Sequence, residues 1–321
     1  MQEGKTGLKI IGIDIGGTGV KGVIIDEKGE VYVKDSIPTE AEKGADNLVK
    51  NIAAMIENML SASDISKSEV AGVGVGCPGL IDSRHGTVVF AGNLYIKDYP
   101  LSSEISKRTG LSARITNDAN AAALGEARFG AGRKYEDSIL VTLGTGVGGG
   151  IVIGGRLFEG GSSAGTEIGH TVIVENGIKC TCGRRGCFER YASARALTAQ
   201  TRAAMVKNPG SPMWKTYDKN SVCGKTPFDY MDDDPVAKSV VDGYIKHLAC
   251  GIVNVANVFR PQVVMLGGGV SEQGERLTKP LQEIVDREIF VGTEYAPVKV
   301  VKATLGSDAG AFGAASLWIE N

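Results

Sequence analysis

IIGIDIGGTGVKGVIID, residues 10–26, and SILVTLGTGVGGGIVIGG, residues 138–155, are the two stretches that decide the fold. Each reads as a short β-branched apolar run, a glycine-threonine turn and a second apolar run, so each predicts a strand, a tight turn and a returning strand. In the first, the run from Leu8 to Ile15 ends at Gly16-Gly17-Thr18 and Val20 to Ile25 follows. Val31 to Ser36 makes a third strand after the turn signals at Asp26 to Glu30. The second stretch is uncharged from Ser138 to Gly155, as a membrane span would be, but its glycines divide it into two runs and predict a hairpin.

Outward from these stretches the same grammar recurs. Asp46 to Leu60 spaces Leu48, Ile52, Met55, Ile56 and Met59 along one helical face, and Val70 to Gly76 is a buried-type strand running into Cys77-Pro78-Gly79. A loop through Asn93, a short helix near Leu101 to Arg108, a strand at Ala113 to Thr116 and an alanine-rich helix from Asn117 to Phe129 follow. VAGVGVGCPGL at 70–80 is matched by VVMLGGGV at 263–270, and ITNDANAAALGEA at 115–127 by LGSDAGAFGAASL at 305–317. Such repetition is difficult to produce by chance. It predicts an α/β protein of two related domains around a central cleft, where ligands would sit. The expected division is a smaller domain over 1–117, to which a C-terminal helix of about 308–321 returns, and a larger one over 118–307. Pro209-Gly210, Pro212, Pro227 and the acidic run Asp232 to Asp234 mark about 205–235 as a surface insertion.

Length and composition agree with that division. The 321 residues suit two domains of roughly 150 each. A hydrophobic share of 42% and a charged share of 22% exclude a largely disordered chain. With 35 Lys plus Arg against 37 Asp plus Glu, no broad basic field exists to gather nucleic-acid phosphates. Glycine is the outlier, 45 residues without a collagen period, which implies many tight turns or close backbone approaches. MQEGKTGLKI lacks the apolar core of a signal peptide, and the cysteines are too unevenly spread for a disulfide framework. A cytoplasmic protein without a membrane anchor is expected.

In DIGGTGVK, Asp14 stands at a strand end and Gly16, Gly17 and Thr18 offer backbone amides that an anion can approach, with Lys21 following. The pattern is neither G-x-G-x-x-G opening a helix nor G-x-x-x-x-G-K-[ST], and taken alone it fits a hairpin turn equally well. A second turn at Gly144, Thr145 and Gly146 changes the balance, because two such turns can clamp one polyphosphate. Gly267 and Gly268 end an apolar strand where a flat base could lie against the backbone, or where the chain merely turns. His170, Cys180, Cys182 and Cys187, spaced H-x9-C-x-C-x4-C, supply one imidazole and three thiolates, a complete tetrahedral set for structural zinc. Glu167 and Glu189 flank that loop, which would hold them as acceptors for sugar hydroxyls. Asp118, at a strand-helix junction beside Asn117, could cap the helix or serve as a general base. Asn93 is a further polar loop residue that could face the cleft, whereas His85 and His247 read as structural or solvated.

Taken together, DIGGTGVK, GCPG at Gly76, NDAN at Asn117, LGTGVGGG at Leu143, EIGH at Glu167, CTCGRRGCFE at Cys180, LGGGVS at Leu266 and SDAGAFGAA at Ser307 resemble the ROK family. That group of repressors, open reading frames and sugar kinases belongs to the actin-like ATPase superfamily, with its ribonuclease H-like fold. The resemblance implies that Asp118 is the catalytic base and that Asn93, Asn117, Glu167, His170 and Glu189 bind the sugar. It further implies that the glycine turns hold ATP, that Asp14 lies near Mg²⁺, that His170 and the three cysteines hold zinc, and that the protein is a dimer or tetramer. Glucose phosphorylated at its 6-hydroxyl is the expected reaction, with an N-acetylglucosamine or N-acetylmannosamine kinase and a non-catalytic sugar sensor as alternatives. Tyr95, where many relatives carry tryptophan, and Ser307, where asparagine is common, are departures. Family repressors carry a DNA-reading helix-turn-helix before the first strand, and with about nine residues there no reader domain is expected.

Overall fold

The computed structural model describes residues 7–161 and 163–319; residues 1–6 and the last two residues of the expected C-terminal helix lie outside the described residues. The chain begins with strands β1 (Lys9–Ile15), β2 (Gly19–Ile25) and β3 (Val31–Pro38), helix α1 (Ala45–Ser63) and strand β4 (Val70–Cys77). Three short strands, β5 (Leu80–Asp82), β6 (Thr87–Ala91) and β7 (Ile96–Tyr99), precede α2 (Leu101–Thr109), β8 (Ala113–Asn117) and α3 (Asp118–Phe129). The second round opens with β9 (Ser138–Leu143), β10 (Val147–Ile153) and β11 (Arg156–Phe158), followed by α4 (Glu189–Ala192), α5 (Ala194–Lys207) and α6 (Thr226–Tyr230). It closes with α7 (Pro235–Phe259), β12 (Val263–Gly267), α8 (Glu275–Glu288), β13 (Lys299–Lys302) and α9 (Ala309–Ala315).

The repeat read from sequence is a repeat of topology. One five-stranded sheet has the order β3-β2-β1-β4-β8 and the other β11-β10-β9-β12-β13, the same order position by position. In the first, β1 pairs antiparallel with β2 and parallel with β4, which pairs parallel with β8. In the second, β12 runs parallel to both β9 and β13 while β10 and β11 are antiparallel. The chain divides into two compact units, residues 1–136, 150–166 and 304–321 in the first and 137–149 and 167–303 in the second.

In the first unit, Ile11, Ile13 and Ile15 of β1 and Val73 and Val75 of β4 share a core with Leu48, Ile52, Met55, Ile56 and Met59 of α1, the helical stripe read from sequence. On the other face, Ile10, Val23 and Ile25 pack with Ala311, Phe312 and Ala315 of α9. Glycine serves close approach here: a β-carbon at Gly12 would overlap the Ala311 carbonyl, and one at Gly74 the Ala314 carbonyl. The Ala-Gly pattern of α3 and α9 has the same cause, since Gly125 abuts Ala309 and Gly313 abuts Ala121. Those glycines cost helix propensity, about 1 kcal/mol each relative to alanine, and in return let two helix backbones touch.

Two stretches differ from their sequence reading. The expected loop through Asn93 contains a three-stranded antiparallel sheet, β5-β6-β7, with strands too short for alternation to register. The proline-bearing stretch after Met205 is not a bare surface excursion: Met205, Met213, Val222 and Ala237 are buried together, with Trp214, Tyr217 and Tyr230 against them. Ser211 Oγ donates to Asp234 Oδ2 at 2.5 Å and ties its ends. Among the described residues no helix is long and apolar enough to cross a membrane, and residues 138–155 form the expected hairpin.

Candidate functional site

The first unit gathers one set of candidates where β1, β4 and β8 end side by side. Parallel pairing sets Asp14 opposite Gly76 and Cys77 opposite Asn117, so three strand termini deliver polar groups to one edge. Gly310 at the start of α9 lies under the Asp14 carboxylate, where a β-carbon would come within 2.5 Å of Oδ2. Burial, first, and then the negative charge of Asp118 push the Asp14 carboxyl up to about 6, with Asp308 adding to the rise and Lys21 opposing it. Burial raises Asp118 as well, against the lowering effect of the Ala119 amide. The buried Cys77 thiol beside them is pushed up to about 12 by burial and by both carboxylates, so it stays protonated and unreactive.

The helix cap resolves the ambiguity at the strand-helix junction. Asn117, not Asp118, is the N-cap of α3: its Oδ1 accepts from the amides of Ala119 at 2.9 Å and Asn120 at 3.4 Å, while its Nδ2 donates to Gly79 O at 3.1 Å. Asp118 Oδ1 takes one local bond from Ala119 N at 2.9 Å. The first glycine turn is closed by Gly16 N donating to Gly19 O at 2.9 Å and is braced from outside by Thr39, which donates to Gly16 O and Thr18 O. Gly17 and Thr18 are exposed, and a β-carbon on Gly17 would stand 3.7 Å from Asn93 Nδ2. Lys21, the cross-strand partner of Asp14 on β2, donates to Ser307 O at 2.8 Å and lies 3.9 Å from Asp308. Tyr95 is 79% exposed and holds left-handed backbone, φ 56°, a conformation that a β-carbon disfavours.

The second unit gathers the other set. Gly144 N donates to Gly146 O at 3.0 Å to close the second turn, leaving Thr145 exposed. Glu189, in the first turn of α4, accepts from Val147 N at 3.2 Å and fills the space beside Gly146 that a side chain would need. Gly169 backs onto the Val147 carbonyl, so the short 3₁₀ turn Ile168–His170 is wedged against the same segment. Gly268, at φ 82°, lies against the Leu143 backbone, which brings the third glycine turn to the second. Exposed Glu167 enters the 3₁₀ turn through its carbonyl, which accepts from His170 N at 3.0 Å.

His170, Cys180, Cys182 and Cys187 each offer a ligand atom, all within 4.8 Å of one another. Cys182 Sγ stands 3.6 Å from Cys187 Sγ, and Cys180 Sγ 3.7 Å from His170 Nδ1. A tetrahedron with metal-sulfur bonds of about 2.3 Å has edges of roughly 3.8 Å, so the donor set fits zinc and leaves no coordination position open. Nδ1 faces the sulfurs, which leaves Nε2 to point elsewhere. The loop is shaped for this by left-handed Gly183 and Gly186, the latter against the Val174 carbonyl, and by fully buried Phe188, seated where Gly251 lacks a side chain.

Sequence reading passed over Glu126, Asn120 and Glu159. Each looks like a solvated polar residue, and only contacts distant in sequence reveal otherwise: Glu159 accepts from Thr116 and Ser83, and Asn120 from Thr166. His85 is exposed beside Asp82, and His247 packs its ring on Tyr191 with centroids 4.9 Å apart.

Known proteins resemble the chain over nearly its whole length. The chain is 39% identical over 316 residues to a glucokinase of Thermotoga maritima, covering 97% of each protein. It is 30% identical over 299 residues to a xylose repressor of Caldicellulosiruptor bescii, spanning 92% of this chain and 74% of that one. The structure superposes with a TM-score of 0.79 on a ROK family glucokinase from Streptomyces griseus in complex with glucose and AMPPNP, at 35% identity over 96% of this chain and 98% of that one. The two repeated sheets are therefore those of the actin-like ATPase fold. The ROK family profile matches residues 10–321, and the chain belongs to the ROK family.

Proposed function

We propose that the protein is an ATP-dependent hexose 6-kinase with glucose as its acceptor. The observation that carries this reading is the division of labour at the start of α3: Asn117 satisfies the helix amides and Asp118 keeps a carboxylate oxygen for chemistry. Asp118 accepts the proton of the sugar 6-hydroxyl as that oxygen attacks the γ-phosphorus in line and the bond to the ADP oxygen breaks. Its raised affinity for protons suits a base that must take one near neutral pH. The backbone amides of Gly17, Thr18, Thr145 and Gly146 would donate to phosphoryl oxygens, while those of Gly16 and Gly144 close the two turns, and Gly267 and Gly268 would admit the base of the nucleotide. Asp14 would hold Mg²⁺, which when bound supplies positive charge against the phosphates. That charge would also keep Asp14 ionised despite its burial.

Asn93, Glu167, Glu189 and His170 Nε2 would bind the sugar hydroxyls, with zinc fixing the loop that carries the last three. Support comes from the glucokinase relatives and from the direction of His170 Nδ1 toward the cysteines. The kinship with a xylose repressor makes turnover itself the test. A coupled assay of ADP formation with glucose, mannose, fructose and the N-acetylhexosamines should give the highest kcat/KM with glucose. Preference for an N-acetylhexosamine would reassign the acceptor, and sugar binding without ADP release would replace the kinase by a sensor.

A further inference from the structure

Glu126 is fully buried in the last turns of α3, eight positions after Asp118 on the same helix, and it has no place in the chemistry above. A buried carboxylate persists only where donors surround it. Here they are all backbone amides or a hydroxyl from two separate segments. Oε2 accepts from Ala131 N at 2.9 Å, Oε1 from Leu305 N at 2.6 Å, and both oxygens share Thr304 N at 2.9 and 3.0 Å, with the Thr304 hydroxyl at 3.4 Å. The Glu126 carbonyl adds bonds from Gly130 N and Gly132 N. Residues 130–132 lead to the point where the chain first leaves the first unit, after Glu136, and Thr304 is where it returns for the last time. Gly130 makes room for it: a β-carbon there would overlap the carboxylate.

We infer that Glu126 is a positioning residue for phosphoryl transfer. Through one carboxylate it registers the helix that carries Asp118 against the segment 304–305 that feeds α9, whose Gly310 underlies Asp14. The helix bearing Asp118 and the segment leading to the glycine under Asp14 thus share one buried clamp that touches neither acid. Close packing of Gly125 on Ala309 and Gly313 on Ala121 shares in setting this register, and the charge-assisted bonds of Glu126 add directional contacts at the other end of α3 from Asp118.

The inference rests on the kinase reading, and its test separates the two. Glu126→Gln keeps size and removes two acceptor sites; Gly130→Ala keeps the carboxylate and pushes it off its amides. Both variants, the double variant and the wild type are compared in one glucose- and ATP-dependent assay, with thermal melts and amide hydrogen exchange at Ala131, Thr304 and Leu305. Each single variant should lose about tenfold or more in kcat with the sugar KM within about threefold, and exchange should quicken at those three amides. The double variant should be no worse than the poorer single one, because both act on one clamp. Folded variants with wild-type kcat, additive losses, or failure of both variants to fold would each overturn the inference. A wild type that binds glucose but does not turn over would overturn the kinase reading instead, while the exchange data would still report whether the clamp exists.

Discussion

Asp14→Asn should make the protein more stable and less active, and the pH dependence of the stability gain can be worked from the site. Burial and the charge of Asp118 lift the Asp14 carboxyl from its ordinary 3.8 to about 6. A group whose folded affinity for protons exceeds its unfolded one favours the folded state fully at low pH. That advantage is lost as pH rises through the window from 3.8 to about 6, and above it the folded state carries the whole cost of a buried charge. At about 1.4 kcal/mol per pH unit that cost is about 3 kcal/mol. For a unit of this size it corresponds to roughly 6–12 °C in melting temperature. An amide of the same shape avoids the cost, so the variant should exceed the wild type by that amount at pH 8 and by almost nothing at pH 4. Urea unfolding of both proteins at several pH values, without divalent cations, measures it. A difference that does not change with pH, or a variant less stable than the wild type at pH 8, would refute the account of Asp14 as a charge held against its surroundings for function.

Three further outcomes follow from the site. Asp118→Asn should lower kcat by about 10²-fold or more while glucose affinity, measured by calorimetry, stays near that of the wild type; near-normal turnover would remove Asp118 as the base. Cys182→Ala should lose bound zinc, read by elemental analysis, and raise the glucose KM through the loop bearing Glu167, His170 and Glu189; loss of zinc with an unchanged KM would uncouple metal from sugar. Gly146→Ala should displace the Glu189 carboxylate from Val147 N, costing about 1 kcal/mol of stability and raising the glucose KM. An unchanged KM there would mean that Glu189 holds the turn rather than the sugar.

The fold was legible because its two hairpins and its Ala-Gly helices are local signals that occur twice. The first hairpin alone could belong to many proteins, but a second one followed by the same strand-helix order restricts the topology to two equivalent sheets. The metal cluster was legible for a similar reason, since its four donors lie within 18 residues and their spacing is itself the signal. What escaped was non-local. Glu126 reads as an ordinary exposed helix residue until Thr304, 178 positions away, is placed on its carboxylate. The cap at α3 escaped too, because Asn117 and Asp118 are both good N-cap residues and only the backbone register decides which takes the amides. The short strands β5, β6 and β7 carry too few residues for a period, and the burial of Met213 and Val222 lies hidden among prolines and charges.

The most direct test of the central claim follows phosphorus itself. Purified protein with glucose, Mg²⁺ and ATP, followed by ³¹P and ¹³C NMR, should convert the γ-phosphoryl group to glucose 6-phosphate with one ADP per sugar and no free phosphate. Inorganic phosphate without a phosphorylated sugar, or glucose bound to a protein that leaves ATP intact, would contradict it.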